Sequence, residues 1–395
     1  MKYVRPYIDI SYNYLNKKNE SLCGDKVQLY KSEERTIIVL ADGLGSGVKA
    51  NILSTLTSQI ALTMLKRNAN IHEVVDTIIH TLPVCSVRKI AYSTFSIIEI
   101  DIDLNCQIYE YDNPAFFLIR RYEVINPEKK SMFIHDKEVL VSRFKLQEGD
   151  VMYICSDGVV HAGVGRYLSF GWKWDDVAKY LVGQQVLAAF HLCNRLLDAC
   201  NDLYESTPDD DTTVVAVKIR RPQNLHVFTG PPVNKELDKP FIKHFNKLNG
   251  KKLISGGTAA QIFSRETGRQ IITNFDYISP DVPVTARIKG VNLVTEGIIT
   301  MSKCAELIEN FKNDYNEIDF KKQDGVTKMV KLLLDDSTYT KIWFGKSVNS
   351  AHQHRDFPEH LSLKINVVNR LVSALRSIGK DVDIEYISEI DYESI

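Results

Sequence analysis

Apolar and polar residues alternate in short blocks along the first half of the chain, and their periods predict both strands and helices. The run "ERTIIVLAD" is typical of a buried strand. After it, Leu53, Leu56, Ile60 and Met64 recur at intervals of three and four, as on one face of a helix. A second helix is predicted from the spacing of Val74, Val75, Ile78, Ile79 and Leu82.

The next blocks predict an antiparallel meander. "YSTFSIIEID", "QIYEYDN" and "AFFLIRRYEVI" are short β-rich runs separated by turn residues, and "VMYICSDG" is a further strand. One or two helices are predicted between Asp176 and Cys200, before the strand "TTVVAVKIR". Because strands and helices are segregated in this way, we expect an α+β fold made of layers.

A change in composition follows these elements. "RRPQNLHVFTGPPVNKELDKP" holds four of the chain's twelve prolines, which predicts a linker over residues 222–232 between domains at 1–221 and 233–395. The second part is predicted to be a smaller mixed α/β domain. It begins with a strand, a glycine turn and a helix, and helical patterns recur at Ser302–Phe311 and Leu363–Leu375.

Composition narrows the classes of function. The 395 residues are 44% hydrophobic and carry a formal charge of −1 with acids and bases interleaved, so neither a nucleic acid nor a membrane is expected as a partner. The N-terminus does not read as a signal peptide, and we expect a cytoplasmic protein. Seven scattered cysteines without a Cys-x-x-Cys pair favour reduced, mostly buried thiols.

The glycine-rich turn "ADGLGSGVKAN" suggests either a phosphate loop or a metal-binding aspartate. A P-loop needs Gly-Lys-Ser/Thr in succession, but Val48 separates Gly47 from Lys49, and Ala50 occupies the place of the hydroxyl. The dinucleotide fingerprint also fails, because the turn opens with Asp42. An aspartate that ends an apolar strand is instead well suited to ligate a hard cation.

Two more acidic turns share this plan. Asp157-Gly158 ends "MYICSDG", and Asp209, Asp210 and Asp211 precede the strand "TTVVAV". A single Asp-Gly pair is more often a simple turn. Three acidic turns beside β-rich runs are better explained by carboxylates that converge on one sheet edge and hold cations between them.

These residues resemble the bacterial PP2C-like (PPM) serine/threonine phosphatases of the SpoIIE and RsbU type. The matching stretches occur in the family's order and cover about residues 1–221: "CGD" at 23–25, "ADGLGSGVKA" at 41–50, "DNPAFFLIR" at 112–120, "LQEGDVMYICSDGV" at 146–159 and "DDDTTVVAVKI" at 209–219. The resemblance implies an αββα sandwich of two antiparallel sheets flanked by helices, with two Mn²⁺ or Mg²⁺ ions at one edge.

The resemblance also implies roles for individual residues. Asp42 would bridge the two metals, the Gly43 carbonyl would ligate one of them, and Asp157 and Asp210 would complete the set of ligands around the second metal. Asp25 would hold metal-bound water or contact a weaker third metal. Asp25, Asp42 and Asp210 form the implied catalytic set, and Asp211 has a supporting role.

The implied reaction is hydrolysis of phosphoserine or phosphothreonine on a bacterial regulatory protein by direct attack of a water that bridges the metals. A STAS-type anti-sigma antagonist is one candidate substrate, and a homodimer stays open. Cys23 and Cys155 flank the site, but buried structural cysteine is the better interpretation. The arginine that grips phosphate in the eukaryotic branch is absent, and only Lys17, Lys18 and Asn19 occupy that place.

Two patterns in the second half allow a ligand but favour simpler explanations. Gly256 and Gly257, with Thr258 as the expected N-cap, form either an anion site or a tight connection between strand and helix. His352, His354, Asp356, Glu359 and His360 form either a metal cluster or an exposed polar loop. The role predicted for this half is regulation or partner binding.

Two hypotheses about function therefore remain. The first is a metal-dependent protein phosphatase. The second is a non-catalytic signalling module that binds a partner protein and senses a ligand through the C-terminal domain. Because no predicted metal position is lost, the sequence favours the enzyme.

Overall fold

The structure, a computed structural model, describes residues 5–81, 93–135, 137–184, 188–274, 284–310, 322–346 and 357–387, with the side chains of 357–362 excepted. The chain divides into two compact units, one over Ile8–Arg220 and the other made of Arg221–Ile395 together with Met1–Tyr7. No described helix combines the length and the apolar composition that crossing a membrane requires.

Two antiparallel sheets form the first unit. The six-stranded sheet has the order β2-β3-β4-β5-β9-β8 and consists of β2 (Asp25–Lys31), β3 (Arg35–Gly43), β4 (Ser93–Asp101), β5 (Asn105–Tyr111), β8 (Lys129–Ile134) and β9 (Lys137–Lys145). The five-stranded sheet has the order β1-β11-β10-β6-β7 and consists of β1 (Tyr7–Leu15), β6 (Phe117–Arg120), β7 (Glu123–Ile125), β10 (Val151–Cys155) and β11 (Thr212–Arg220).

Helices cover the outer face of each sheet. Helix α1 (Gly47–Lys66) packs on β3 and β4 around Ile37, Val39 and Ile97, and α2 (Ile71–Thr81) packs on α1 and β8. The five-stranded sheet carries α3 (Asp157–His161), α4 (Trp174–Val182) and α5 (Ala189–Leu203). A third apolar cluster, which includes Ile38, Ile98 and Val215, joins strands of the two sheets. The predicted αββα sandwich is therefore confirmed.

The buried face of α1 differs from the predicted one. Leu53 is buried, but Leu56 is 45% exposed, and Ile60 and Met64 are only partly buried. Leu53, Ala61, Leu62 and Leu65 instead form the part of α1 that belongs to the apolar cluster shared with the sheet. Leu82, the last residue predicted for the α2 face, lies outside the described residues.

The second unit is built on a seven-stranded sheet with the order β14-β15-β16-β13-β12-β17-β18. The strands are β12 (Asn224–Thr229), β13 (Lys251–Ser255), β14 (Ile272–Asn274), β15 (Thr285–Arg287), β16 (Leu293–Thr295), β17 (Tyr339–Phe344) and β18 (Asp381–Tyr386). Five of them, β16-β13-β12-β17-β18, pair in parallel. The helices are α6 (Asp238–Lys247), α7 (Gly257–Thr267), α8 (Ile298–Asn310), α9 (Gly325–Leu334) and α10 (Phe357–Ser377).

The stretch predicted as a linker, residues 222–232, contains strand β12, which pairs with β13 on one side and with β17 on the other. Prolines flank this strand and do not interrupt it, which is why the composition was misleading. Phe228 is fully buried, and its ring centroid lies 4.9 Å from that of Phe241 and 5.8 Å from that of Phe245. The proline-rich stretch therefore supplies the middle one of the five parallel strands of the second unit.

Replacing Phe228 with alanine tests the structural role of this segment. Loss of a fully buried phenylalanine should lower the free energy of unfolding of the second unit by about 3–5 kcal/mol. Calorimetry of the full chain measures this change, and Ile272→Ala is the matched control because Ile272 is 61% exposed. If the two variants unfold alike, residues 224–229 behave as a linker and the strand assignment fails.

Candidate metal centre

Asp42 lies near the end of β3 and faces Asp25, the first residue of β2, across the antiparallel pair. The Gly43 amide donates to the Gly24 carbonyl at 3.2 Å, which continues the pairing past both aspartates. On the other side of β3, the Ser93 hydroxyl donates to the Asp42 carbonyl oxygen at 2.9 Å. The strand register therefore fixes two carboxylates next to each other, with Asp25 only 5% exposed.

Asp157 and Asp210 come from the other sheet. Asp157 is the first residue of α3, directly after β10, and Asp210 precedes β11. Two hydrogen bonds join these segments, because the Ser156 amide donates to the Thr213 carbonyl at 3.0 Å and the Thr213 amide donates to the Ser156 hydroxyl at 2.8 Å. The structure thus places Asp157 and Asp210 at neighbouring strand ends.

Electrostatics show that the four carboxylates share one site. Burial, followed by repulsion from Asp25 and Asp157, raises the pKa of Asp42 to about 10, and Asp210 contributes to the rise. Burial also raises the pKa of Asp25 to about 7, although the nearby hydroxyls of Ser156 and Thr213 oppose that rise. The pKa of Asp157 is raised by burial and by Asp210. Negative charge is therefore unfavourable here unless a cation balances it.

The donor set fits hard divalent cations. Both carboxylate oxygens of Asp25 are buried and accept no hydrogen bond from the described residues. Such oxygens are costly to bury without a partner, and carboxylate oxygens are the ligands that Mg²⁺ and Mn²⁺ prefer. Among the described residues, no three of these aspartates bring oxygens within 4.8 Å of one another.

Three glycines at the site allow close approach of neighbouring backbone. A β-carbon on Gly43 would lie 2.0 Å from the Ala50 carbonyl oxygen, and one on Gly158 would lie 2.3 Å from the Asp211 carbonyl oxygen. At Gly24 the β-carbon would lie 2.8 Å from Asp211 Oδ2. The glycine of each Asp-Gly pair therefore serves packing at the site, and the turn explanation for these pairs is incomplete.

Asp211 holds the loop before β2 in place. Its Oδ1 accepts the Lys17 amide at 3.0 Å, and its Oδ2 accepts the Gly24 amide at 2.8 Å. The side chain is buried, at 4% exposure. Because both oxygens already accept backbone hydrogen bonds, Asp211 positions the segment that leads to Asp25.

Lys17 brings a positive charge to the site. Its Nζ lies 3.6 Å from Asp210 Oδ1, and its charge opposes the rise in the pKa of Asp157. Both side chains of the pair are more than a third exposed, so the pair adds little to stability. The position of Lys17 beside the carboxylates was not predicted. The sequence showed only that Lys17, Lys18 and Asn19 occupy the place of the phosphate-binding arginine of the eukaryotic branch.

Two further residues of the site were also missed. The Asn113 side-chain amide donates to Ser96 Oγ at 2.8 Å and to the Cys155 carbonyl at 3.1 Å, which ties the end of β10 to the other sheet. His161 Nε2 lies 3.9 Å from Asp157 Oδ2. His161 could have been found from its position four residues after Asp157, which places both on one face of a helix. Asn113 belongs to the matching stretch "DNPAFFLIR", but the sequence assigned it no role.

An open cavity of about 650 Å³ adjoins Asp157. Its lining includes Asp112, Asn113, Lys137, Glu138 and His161. The acidic lining would repel a phosphate group unless cations were bound beside it. The cavity and the carboxylates therefore form one candidate site.

The cysteines beside the carboxylates are not suited to nucleophilic chemistry. Cys23 and Cys155 are buried, and burial raises the pKa of both thiols well above the ordinary range. The nucleophile is a thiolate, which these surroundings disfavour. Both cysteines therefore have a structural role.

The two ligand patterns of the second half gain no support as binding sites. Gly256 is the N-cap of α7 with φ of +123°, in place of the expected Thr258, and its amide donates to the Thr295 carbonyl at 3.0 Å. This geometry is that of a tight connection. His352, His354 and Asp356 lie outside the described residues, and the side chains of Glu359 and His360 are not described either.

Comparison with protein families identifies the first unit. Residues 32–220 match the family model of stage II sporulation protein E (SpoIIE). This part of the chain is a SpoIIE-family domain. The PP2C-like family predicted from the sequence is thereby confirmed, and the match includes Asp42, Asp157 and Asp210.

Solved structures similar to the SpoIIE-family domain come from several regulatory proteins. The phosphatase domain of SpoIIE from Bacillus subtilis is 20% identical, and the alignment covers 55% of this chain and 95% of that one with a TM-score of 0.43. The RsbU and RsbW domains of Rv1364c from Mycobacterium tuberculosis are 18% identical, with 62% and 68% covered and a TM-score of 0.47. RsbX in complex with magnesium is 19% identical, with 55% and 100% covered and a TM-score of 0.41. A search of curated proteins found no match.

Replacing Gly158 with alanine tests the close packing at the SpoIIE-family site. The added β-carbon would overlap the Asp211 carbonyl oxygen at 2.3 Å, so we expect a loss of about 1–3 kcal/mol in the free energy of unfolding and weaker Mn²⁺ binding. Urea unfolding and calorimetric Mn²⁺ titration measure the two effects.

Gly183→Ala is the matched control for this substitution. Its β-carbon would meet only the Tyr180 carbonyl oxygen at 3.8 Å, and the backbone there is helical. Equal stability and equal Mn²⁺ affinity in the two variants would show that the Asp157 and Asp211 segments do not need this close approach.

Proposed function

We propose that the protein is a metal-dependent phosphatase that hydrolyses phosphoserine or phosphothreonine on a bacterial regulatory protein. The observation that carries the proposal is the convergence of Asp25, Asp42 and Asp157, whose pKa values are raised by burial and by neighbouring carboxylates, with that of Asp42 at about 10. The match to the SpoIIE family supports the same assignment. The proposed substrate class includes STAS-type anti-sigma antagonists.

The proposed ligands are Asp42, the Gly43 carbonyl, Asp157 and Asp210, with Asp25 beside them, and the proposed ions are two Mn²⁺ or Mg²⁺. Bound cations of this kind activate water near neutral pH and neutralise the phosphoryl oxygens. The magnesium in the RsbX structure is consistent with this choice of ion.

The chain's own residues supply position and charge. Asp25 and Asp42 face each other in register, so the Asp25 carboxylate lies beside the proposed ligand Asp42 and is placed to hold a proton near the reacting group. Lys17 adds positive charge to an acidic site that must accept an anionic substrate. Its Nζ lies 3.6 Å from Asp210 Oδ1. Asn113 holds the Cys155 carbonyl and so the backbone that leads to Asp157.

We also propose that the second unit regulates the enzyme or binds a partner. In its parallel sheet, the chain moves outward from β12 to β13 and β16 on one side, and to β17 and β18 on the other. Ligands of open α/β sheets bind beyond the carboxyl ends of the strands where the strand order reverses, here between β12 and β17. This order supports a regulatory ligand site in the second unit.

Hydrolysis of p-nitrophenyl phosphate and of a phosphoserine peptide tests the proposed activity. With Mn²⁺ present, Asp42→Asn and Asp210→Asn should each lower the rate by about 100-fold or more, because each removes a charge that holds the cations. Asp209→Asn is the matched control, since Asp209 is the preceding residue in the chain but pairs with Arg166 at 3.0 Å.

Three results would count against the enzyme. They are activity that persists with a chelator, activity that Asp42→Asn retains, and an intact protein that binds no metal and hydrolyses neither compound. The last would favour the non-catalytic signalling module.

A further inference from the structure

A second group of metal-ligating side chains lies in the first unit on helix α2. The apolar face of α2 is buried through Val74, Val75 and Ile78. On the polar side, His72, Asp76 and His80 follow one another at intervals of four, which places them in a row on one face of the helix. This row does not contribute to the carboxylate site described above.

The row meets a histidine from another element. His135 lies in the turn between β8 and β9, with φ of +53°, and its Nε2 is 2.5 Å from Asp76 Oδ1. His80 Nδ1 is 3.3 Å from the same oxygen and 2.9 Å from the Asp76 carbonyl oxygen. The rings of His80 and His135 are edge to face, with centroids 5.1 Å apart.

The three side chains converge as ligands of one ion would. One ligand atom each from Asp76, His80 and His135 can be chosen so that all three lie within 4.8 Å of one another. In a tetrahedral site with bonds of about 2.1 Å, ligand atoms are about 3.4 Å apart. Side-chain rotations that move the ligand atoms by roughly an ångström would therefore bring the three side chains to tetrahedral separations. The histidine side chains are more than half exposed, which leaves them free to make such adjustments.

We propose that Asp76, His80 and His135 bind one borderline divalent transition-metal ion, such as Zn²⁺, which fastens α2 to the turn between β8 and β9. Two imidazoles and one carboxylate select Zn²⁺, Co²⁺, Ni²⁺ or Cu²⁺ over Mg²⁺ and Mn²⁺, which prefer all-oxygen sites. His72 stands one turn before Asp76 on the same helix but is not among the three side chains that converge.

Strand β9 connects the proposed transition-metal site to the cavity beside Asp157. Lys137 and Glu138 are the first residues of β9, two and three positions after His135, and both line that cavity. An ion at His135 would hold the start of β9 against α2. Transition-metal binding would therefore fix one wall of the cavity without using the carboxylates.

Cobalt spectroscopy of the full chain, purified without a polyhistidine tag, tests this site. Co²⁺ bound by two histidines and a carboxylate in a four-coordinate site gives visible absorption that octahedral, all-oxygen Co²⁺ gives only weakly. We expect one equivalent of such absorption, displaced by Zn²⁺, and at least tenfold weaker Co²⁺ binding in His80→Gln and in His135→Asn. Asparagine is chosen at position 135 because it tolerates a positive φ.

Asp42→Asn and His161→Gln are the matched controls, because they alter the carboxylate site alone and should keep the absorption. The proposal fails if the intact chain gives no such absorption, or if His80→Gln and His135→Asn keep it. It also fails if Asp42→Asn removes the absorption, because the ion would then belong to the carboxylate site.

Discussion

The mutual repulsion of Asp25 and Asp42, held face to face by the register of β2 and β3, is the interaction on which the site depends. Strand pairing holds the two backbones in place, so the residues do not move apart. Burial is the main cause that raises the pKa of Asp42 to about 10 and that of Asp25 to about 7. Folding therefore places charge where water cannot stabilise it. A bound cation would turn this unfavourable arrangement into a favourable one, because its charge offsets both the burial and the repulsion.

Close approach of the two sheet edges supports this arrangement. Glycines at positions 24, 43 and 158 remove the β-carbons that would keep Asp211 and α1 away from the carboxylates. Asp211 in turn accepts two backbone amides that hold the loop before Asp25. Backbone packing at these glycines thus decides whether the four aspartates can meet, and we expect a change in this packing to weaken the proposed metal binding.

The sequence predicted the layers of the first unit and the meeting of Asp42, Asp157 and Asp210, because strand-end aspartates have a local signature. It did not predict contacts made across long distances in the chain. Asn113 donates to the carbonyl of Cys155, and Leu56 is exposed because the buried face of α1 runs instead through Leu53, Leu62 and Leu65. β12 was not predicted because the prolines at 222, 231 and 232 indicated a linker. These prolines flank the strand, whose six residues contain none. His135 meets Asp76 only through a tertiary contact between a turn and a helix.

Anomalous diffraction from crystals grown with Mn²⁺ would locate ions at the carboxylates without reference to activity. We expect manganese peaks within coordination distance of the Asp42 carboxylate and of Asp157 or Asp210, and none at the site of Asp76, His80 and His135. A manganese-saturated protein with no peak beside Asp42 would contradict this expectation, because the buried repulsion between Asp25 and Asp42 would then have to be relieved by protonation alone.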